Sequence, residues 1–404
     1  MATLNLHRLL AGTTALSGYI DELDVGVTKE RALRSARDLI RTALRANFKP
    51  LYEHMVRDGL IEQRYLAKAS SVPAFRPRFR MQGSMKYRTL NDPAQNPPQE
   101  IDVDDGVYLP TSFVTEGGKT RPMLASKRYF RAVEATLEPL CKLQGWTLDR
   151  SKPCCVRVRI SNEAHIDLPL YTIPDDEFLR FAEDERATLN KAVADSDSDV
   201  ELSETVYKQL RNDHIMLARR NDDWLESDPR KIEDWLDEAT NDHGEFLKRV
   251  CRYVKGWRDF QLECSKISSL FLMACVVQAL DAIKGTIPPD RDDLALLAVA
   301  RALPDLFGRE IPNPVIPDQI LNGDWAAAER AEYVRLAREL VDSVEGAVTR
   351  TAHKDIAIRH LREAFGGRVP DDHTLISVDT KEEEVLSYGR TRVRAPIVPR
   401  TTSG

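Results

Sequence analysis

Apolar residues return at helical spacing at both ends of the chain and alternate in strand fashion between them. Leu6, Leu9 and Leu10, then Ala32, Leu33, Ala36, Leu39, Ile40 and Leu44, recur every three to four positions and predict helices within residues 1–45. The same period resumes at Gly244 and predicts helices over 244–260, 268–284, 291–307, 324–348 and 352–366, with prolines at 288–289 and 312–317 breaking the run. Between these regions the pattern changes. The basic segment Phe75 to Met81 reads as a strand running into Gln82-Gly83-Ser84, and Ile101 to Leu109 is β-prone and alternating. Cys154 to Ile160 and Ala164 to Leu170 read as two more strands joined by a Ser-Asn-Glu turn. Residues 91–100 are a loop by their Pro, Asn and Asp content, and the acidic, serine-rich stretch 190–205 is a solvated connection. The closing residues, Thr401-Thr402-Ser403-Gly404, end a tail with no core face.

The pattern is that of a mixed α/β half followed by a helical half, an α+β chain with strands too few and scattered for a doubly wound sheet. The expected units are an N-terminal helical segment at 1–45 bracing both lobes, a core at 46–243, an α-helical lobe at 244–385 and a flexible tail at 386–404. At 404 residues the chain is long enough for two domains or one bilobed one, and its 42% hydrophobic content supports a real core.

Charge and cysteine content remove several function classes. A net charge of −6 gives no global basic field, so no long nucleic acid is required as a partner. The six cysteines show no C-x-x-C pairing, and Cys154 and Cys155 are adjacent, which argues against a zinc ribbon. The N-terminus has no secretory h-region, and the most apolar run, Leu270 to Leu280, is interrupted by Gln278 and too short to span a bilayer. The expectation is a cytoplasmic monomer away from the membrane.

The candidate chemistry lies in three short phrases. Asp102 and Asp104 are spaced i, i+2 on a strand, so both carboxylates leave the same face. Asp167 sits alone among Ile166, Leu168 and Leu170, where burial would be costly without a charge partner. Upstream, Gly83 lets backbone approach a phosphate and Ser84 opens a helix whose N–H groups face the anion. Three carboxylates of this kind can hold two Mg²⁺ ions, with Mn²⁺ the alternative, about 3.5–4 Å apart. Such a site transfers nucleotidyl groups by charge neutralisation. The bland reading is surface carboxylates on edge strands.

Other features read more plainly. Glu116-Gly117-Gly118-Lys119-Thr120 lacks the upstream glycine of a phosphate loop and reads as a hairpin turn. Arg157 and Arg159 can reach a triphosphate or simply form a solvated strand face. His165 reads as an ordinary strand histidine, since two-metal transfer needs no histidine base. Trp224, Trp235 and Trp257 read as core tryptophans.

The phrases Gln82-Gly83-Ser84-Met85-Lys86-Tyr87, Ile101-Asp102-Val103-Asp104-Asp105-Gly106-Val107-Tyr108-Leu109-Pro110 and His165-Ile166-Asp167-Leu168-Pro169-Leu170-Tyr171 resemble the cGAS/DncV-like nucleotidyltransferases, and specifically their DncV-like branch. These enzymes belong to the polymerase-β-like superfamily and to the bacterial anti-phage systems called CBASS. The resemblance implies a polymerase-β-like core with a helical C-terminal lobe. It implies a cyclic dinucleotide synthase using ATP and GTP, cyclic GMP-AMP being the expected product. It also implies Asp102, Asp104 and Asp167 as the metal triad, and Gln82, Gly83, Ser84 and Tyr87 as donor-nucleotide contacts. In the helical half, Arg252-Tyr253-Val254-Lys255-Gly256-Trp257-Arg258 resembles the helix bearing a triphosphate-binding lysine, here Lys255, followed by a serine that is Ser268 or Ser269. The branch further implies a ubiquitin-transfer-like enzyme that conjugates the chain through Gly404, set against an ordinary frayed terminus. Two other functions stay open on the residues alone: linear nucleotidylation of a protein, tRNA or small molecule, and a catalytically silent nucleotide-binding scaffold.

Overall fold

The computed structural model describes residues 3–47, 77–110, 126–174, 178, 215–221 and 223–379. The turn expected at 116–120, the acidic stretch at 190–205, the start of the basic strand at Phe75-Arg76 and the tail with Gly404 lie outside the described residues.

The chain opens with β1 (Thr3–Asn5), α1 (His7–Ala11), α2 (Tyr19–Glu22) and the long helix α3 (Val27–Ala46). Leu33, Ala36, Ile40 and Leu44 form one buried stripe of α3, as their spacing requires. β2 (Arg78–Gln82) runs directly into the four-residue turn α4 (Gly83–Lys86), and β3 (Ile101–Pro110) follows. After α5 (Ser126–Gln144) come β4 (Thr147–Asp149), β5 (Cys155–Arg159), β6 (Ala164–Ile173), β7 (Met216–Arg219) and β8 (Asp223–Glu226).

These strands form one seven-stranded mixed sheet ordered β2-β3-β6-β5-β4, while β7 pairs with the far end of β6 and carries β8. β3 and β6 are parallel, and the other pairs are antiparallel. α3 and α5 cover one face, where Leu33, Ile40, Phe130 and Val133 pack against Val103, Val158 and Ile166. On the opposite face, Tyr108, Tyr171 and Ile173 pack with Phe178, Ile215 and Leu217 at one end of β3 and β6, and the candidate carboxylates lie at the other.

The second body is helical: α6 (Pro229–His243), α7 (Phe246–Gln261), α8 (Ser269–Asp281), α9 (Asp292–Gly308), α10 (Ala327–Val348) and α11 (Lys354–Phe365). Five of these correspond to the helices expected from period alone. α10 starts later than expected because Ala326 is its cap, with Glu329 Oε2 accepting from the Ala326 N–H at 2.8 Å. α8 is apolar nearly all round and runs through the middle of this body. α6 begins where Asp228 accepts from the Arg230 N–H at 3.0 Å and Pro229 fills the first helical position. Leu236 and Ala239 of α6 join the helical cluster, so that body starts ahead of residue 244.

Residues 3–47 divide between the two bodies. Leu4, Leu9, Leu10, Tyr19 and Leu23 sit in the helical cluster, while α3 belongs to the sheet cluster. β1 pairs with β9 (Ser377–Asp379), tying the two ends of the described chain together. The loop between α4 and β3 stitches the lobes. Asn91 exchanges hydrogen bonds of 2.9 Å with Arg252, and Gln99 Nε2 donates to the carbonyls of Asp259 and Leu262 at 2.8 Å. Among the described residues no helix is long and apolar enough to cross a membrane.

Candidate active site

Register places the site before any side chain is considered. Asp104 lies between Gln82 on β2 and Asp167 on β6, and Asp167 in turn faces Arg157 on β5. One row of neighbours therefore crosses four strands on one face: Gln82, Asp104, Asp167, Arg157. The adjacent row holds Asp102, His165 and Arg159. Alternation sends Asp105 to the other face, where both its oxygens take hydrogen bonds from Arg41 of α3 at 2.6 and 2.8 Å, with both side chains fully buried. Asp-x-Asp-Asp is thus two site carboxylates and one anchor.

Asp167 has the charge partner that its apolar neighbours demanded. Arg157 Nε and Nη2 each donate to one of its oxygens at 2.7 Å. His165 Nε2 lies 2.9 Å from Asp102 Oδ1 and 4.0 Å from Asp167 Oδ1, and its Nδ1 is 2.5 Å from Glu100 Oε2. Glu100 is itself bonded to Arg159. The Asp102 side chain remains 46% exposed, against 9% for Asp167, so a solute meets Asp102 before Asp167.

Ligand atoms of Asp102, His165 and Asp167 all lie within 4.8 Å of one another, so this group can hold a metal ion. Asp102 Oδ1 and His165 Nε2 are buried atoms without an aligned hydrogen bond, as a pair awaiting another ligand would be. The donor set, hard carboxylates with one imidazole, suits a divalent cation.

The electrostatics separate the neighbouring carboxyls. Burial, then the charges of Asp102 and Asp167, push the Asp104 carboxyl well above the usual range. Burial also pushes Asp102 up, but contact with His165 and its charge, aided by Arg157, outweigh it and hold that carboxyl below its ordinary value. Close like charges of this kind are what a bound cation would neutralise.

The glycine at the head of α4 is required twice over. Gly83 has φ of +64°, and a β-carbon there would lie 2.0 Å from Asp104 Oδ2. The turn helix opens at Gly83 rather than Ser84. Gln82 is committed within the protein: its Nε2 donates to the Tyr108 hydroxyl at 2.7 Å and its Oε1 accepts from the Tyr171 hydroxyl at 3.2 Å. The two tyrosine rings stack at 4.9 Å. A β-carbon on Gly106 would meet Gln82 Nε2 at 2.5 Å, so that glycine makes room for the amide.

A cavity of about 390 Å³ runs between the lobes. Gln82, Gly83, Ser84, Tyr87, Asp102 and Asp104 line it from the sheet, and Lys255, Arg258, Ser269 and Met273 line it from the helices. Asp167 and Arg157 sit behind this surface. Lys255 is buried and donates to the Thr89 carbonyl at 2.5 Å; burial, reinforced by Arg258, brings its pKa down to about 8. Of the two serines, Ser269 lines the cavity. Ser268 instead caps α8, its Oγ accepting from the Phe271 N–H at 3.1 Å. Trp257 is core, Trp235 is partly buried against the helical cluster, and Trp224 packs on the sheet core from a strand, not a helix.

The sequence read His165 as an ordinary strand histidine and did not single out Glu100; the structure sets the imidazole between Asp102 and Glu100. The signal for His165 was present in its i, i+2 spacing from Asp167, which puts both on one face. Glu100 gave no such signal, because only the β3–β6 pairing brings it to the imidazole.

Known proteins resemble this chain in sequence and in fold. Residues 77–171 match the family described as cyclic GMP-AMP synthase DncV-like, nucleotidyltransferase domain, and residues 244–378 match the family described as cyclic GMP-AMP synthase, C-terminal domain. A cyclic GMP-AMP synthase of Vibrio cholerae serotype O1 is 33% identical over 319 residues, covering 74% of this chain and 69% of that protein. One from Escherichia coli is 33% identical over 320 residues, covering 73% and 68%. The crystal structure of Vibrio cholerae DncV cyclic AMP-GMP synthase with the linear intermediate 5′ pppA(3′,5′)pG superposes with a TM-score of 0.72 at 26% identity, covering 94% of this chain and all of that one.

Proposed function

The chain belongs to the DncV-like cyclic GMP-AMP synthases, nucleotidyltransferases of the cyclic dinucleotide synthase class, and from that premise we propose that it joins ATP and GTP into cyclic GMP-AMP as a second messenger of anti-phage defence. The observation that carries the reading is the single row of Gln82, Asp104, Asp167 and Arg157 across the sheet, with Asp102 and His165 beside it, of which Gln82, Asp102 and Asp104 line a cavity that reaches Lys255 and Ser269 on the other lobe.

Asp102, Asp104 and Asp167 would hold two Mg²⁺ or Mn²⁺ ions, with His165 beside them. Such ions supply charge neutralisation at the reacting phosphate and lower the pKa of the attacking hydroxyl. The protein's own groups do the rest. The backbone around Gly83 and Ser84 cradles the donor triphosphate, since Gly83 leaves no side chain in the way. Lys255 and Ser269 bind phosphate from the helical lobe, which fixes the donor across the cleft. Tyr87 and Tyr171 offer rings to the nucleosides lining the cavity. The acceptor's ribose hydroxyl attacks the α-phosphorus, its proton passes to a carboxylate of the group, and the bond to pyrophosphate breaks. A second such transfer closes the ring.

Mass spectrometry with nuclease mapping of the product from all four ribonucleotides tests this reading. A cyclic product of one G and one A supports it. A linear product with phosphatase-sensitive ends would replace it with simple nucleotidyl transfer.

A further inference from the structure

Asp167 is not a bare carboxylate waiting for an ion. Both of its oxygens already receive hydrogen bonds of 2.7 Å from one guanidinium, and both side chains are about nine-tenths shielded from solvent. This is the bidentate geometry in which arginine holds a carboxylate most firmly. Arg157 is fixed in turn by register, directly opposite Asp167 on β5. Three carboxylates on one small patch of sheet repel one another. The Arg157 guanidinium sets a positive charge directly against Asp167.

We infer that Arg157 is a stand-in cation. Its guanidinium holds Asp167 through the same two oxygens that a divalent ion would draw on, and supplies the positive charge such an ion would supply. Loading is therefore an exchange of one cation for another, not an addition to an open cluster. Arg157 acts as a positioning residue: its two hydrogen bonds hold Asp167 aimed, and it sets a threshold that metal must overcome. Two consequences follow. Metal alone binds more weakly than the number of carboxylates suggests. Any anion that draws the guanidinium away from Asp167 strengthens metal binding, and by linkage metal strengthens anion binding equally. The triphosphate of a substrate is such an anion. This inference rests on reading the carboxylate group as a metal site.

The test is Mn²⁺ binding to the full chain without nucleotide, followed by the electron paramagnetic resonance signal of free Mn²⁺. The variants are Arg157→Gln, Arg157→Lys and, as a charge-matched control on the same strand, Arg159→Gln. Arg157→Gln is expected to bind Mn²⁺ roughly tenfold or more tightly than wild type. Arg157→Lys, which keeps the charge but loses the fork, is expected to fall between them, and it decides the matter alone if the glutamine variant does not fold. Arg159→Gln is expected to change affinity less than Arg157→Gln. A purely structural role for Arg157 gives the opposite sign, since a loosened site binds metal less well. Unchanged or weaker Mn²⁺ binding by folded Arg157 variants overturns the inference and leaves the metal site standing. Absence of Mn²⁺ binding in wild type and variants alike, with or without ATP, overturns the metal site itself.

Discussion

Gly83 stands so close to Asp104 that a β-carbon added to it would lie 2.0 Å from the carboxylate Oδ2, at a backbone φ of +64°. Turn and carboxylate are one unit, and a side chain at residue 83 would displace the Asp104 carboxylate from its position. Gly83→Ala meets both the clash and the strained dihedral. The expected cost is roughly 1–3 kcal/mol of stability, with nucleotide product reduced at least tenfold. Thermal unfolding and product formation measured on the same preparation check this; an alanine variant with unchanged activity contradicts it.

Adjacent carboxylates on β3 have opposite jobs. Asp105 pairs with Arg41 where both are fully buried, so Asp105→Ala is expected to destabilise by about 3–5 kcal/mol. Asp102, nearly half exposed and short of aligned hydrogen bonds, is expected to tolerate alanine with little loss of stability while activity disappears. Denaturant titration of the two variants separates them. A comparable loss from both would mean that Asp102 is structural.

Lys255 gives the site a pH dependence with a defined sign. Burial lowers its pKa in the folded protein from 10.5 to about 8. Below pH 8 the lysine is charged in both folded and unfolded chains, and the folded state bears the burial penalty in full. Between about 8 and 10.5 the unfolded chain keeps a proton the folded one has lost, so this group makes stability rise with pH. Triphosphate affinity runs the other way. It is expected to fall above pH 8 by at most about tenfold per unit as the ammonium is lost. Binding of a non-reactive nucleotide analogue from pH 7 to 9.5 checks this, with Lys255→Met expected to give a weaker, flatter profile.

The two serines at the start of α8 are separable. Ser268 caps the helix, so Ser268→Ala is expected to cost about 1 kcal/mol of stability with little change in KM. Ser269 lines the cavity, so Ser269→Ala is expected to raise the nucleotide KM several-fold with stability nearly intact. Reversed effects would move the phosphate contact to Ser268.

Much of this was legible in the sequence because it depends on local period. Asp102 and Asp104 share a face by the two-residue repeat of a strand, and the helices from 246 onward follow the 3.6-residue repeat of their apolar positions. The lone Asp167 announced a buried partner, and Arg157 is that partner. What stayed hidden depends on pairing between distant segments. Glu100 meets His165 only because β3 and β6 run parallel in one register. Arg41 meets Asp105 across 64 positions. The pairing of β1 with β9, and the membership of α6 in the helical body, follow from packing that no local pattern encodes.

The most direct test of the central claim is radiolabelled product from ATP and GTP with Mg²⁺, made by wild type and by the Asp102→Ala, Asp104→Ala double variant shown by circular dichroism to be folded. Wild type is expected to yield a phosphatase-resistant cyclic dinucleotide and the folded double variant none. Product at wild-type level from that variant would contradict the assignment of these carboxylates, and with it the mechanism built on them.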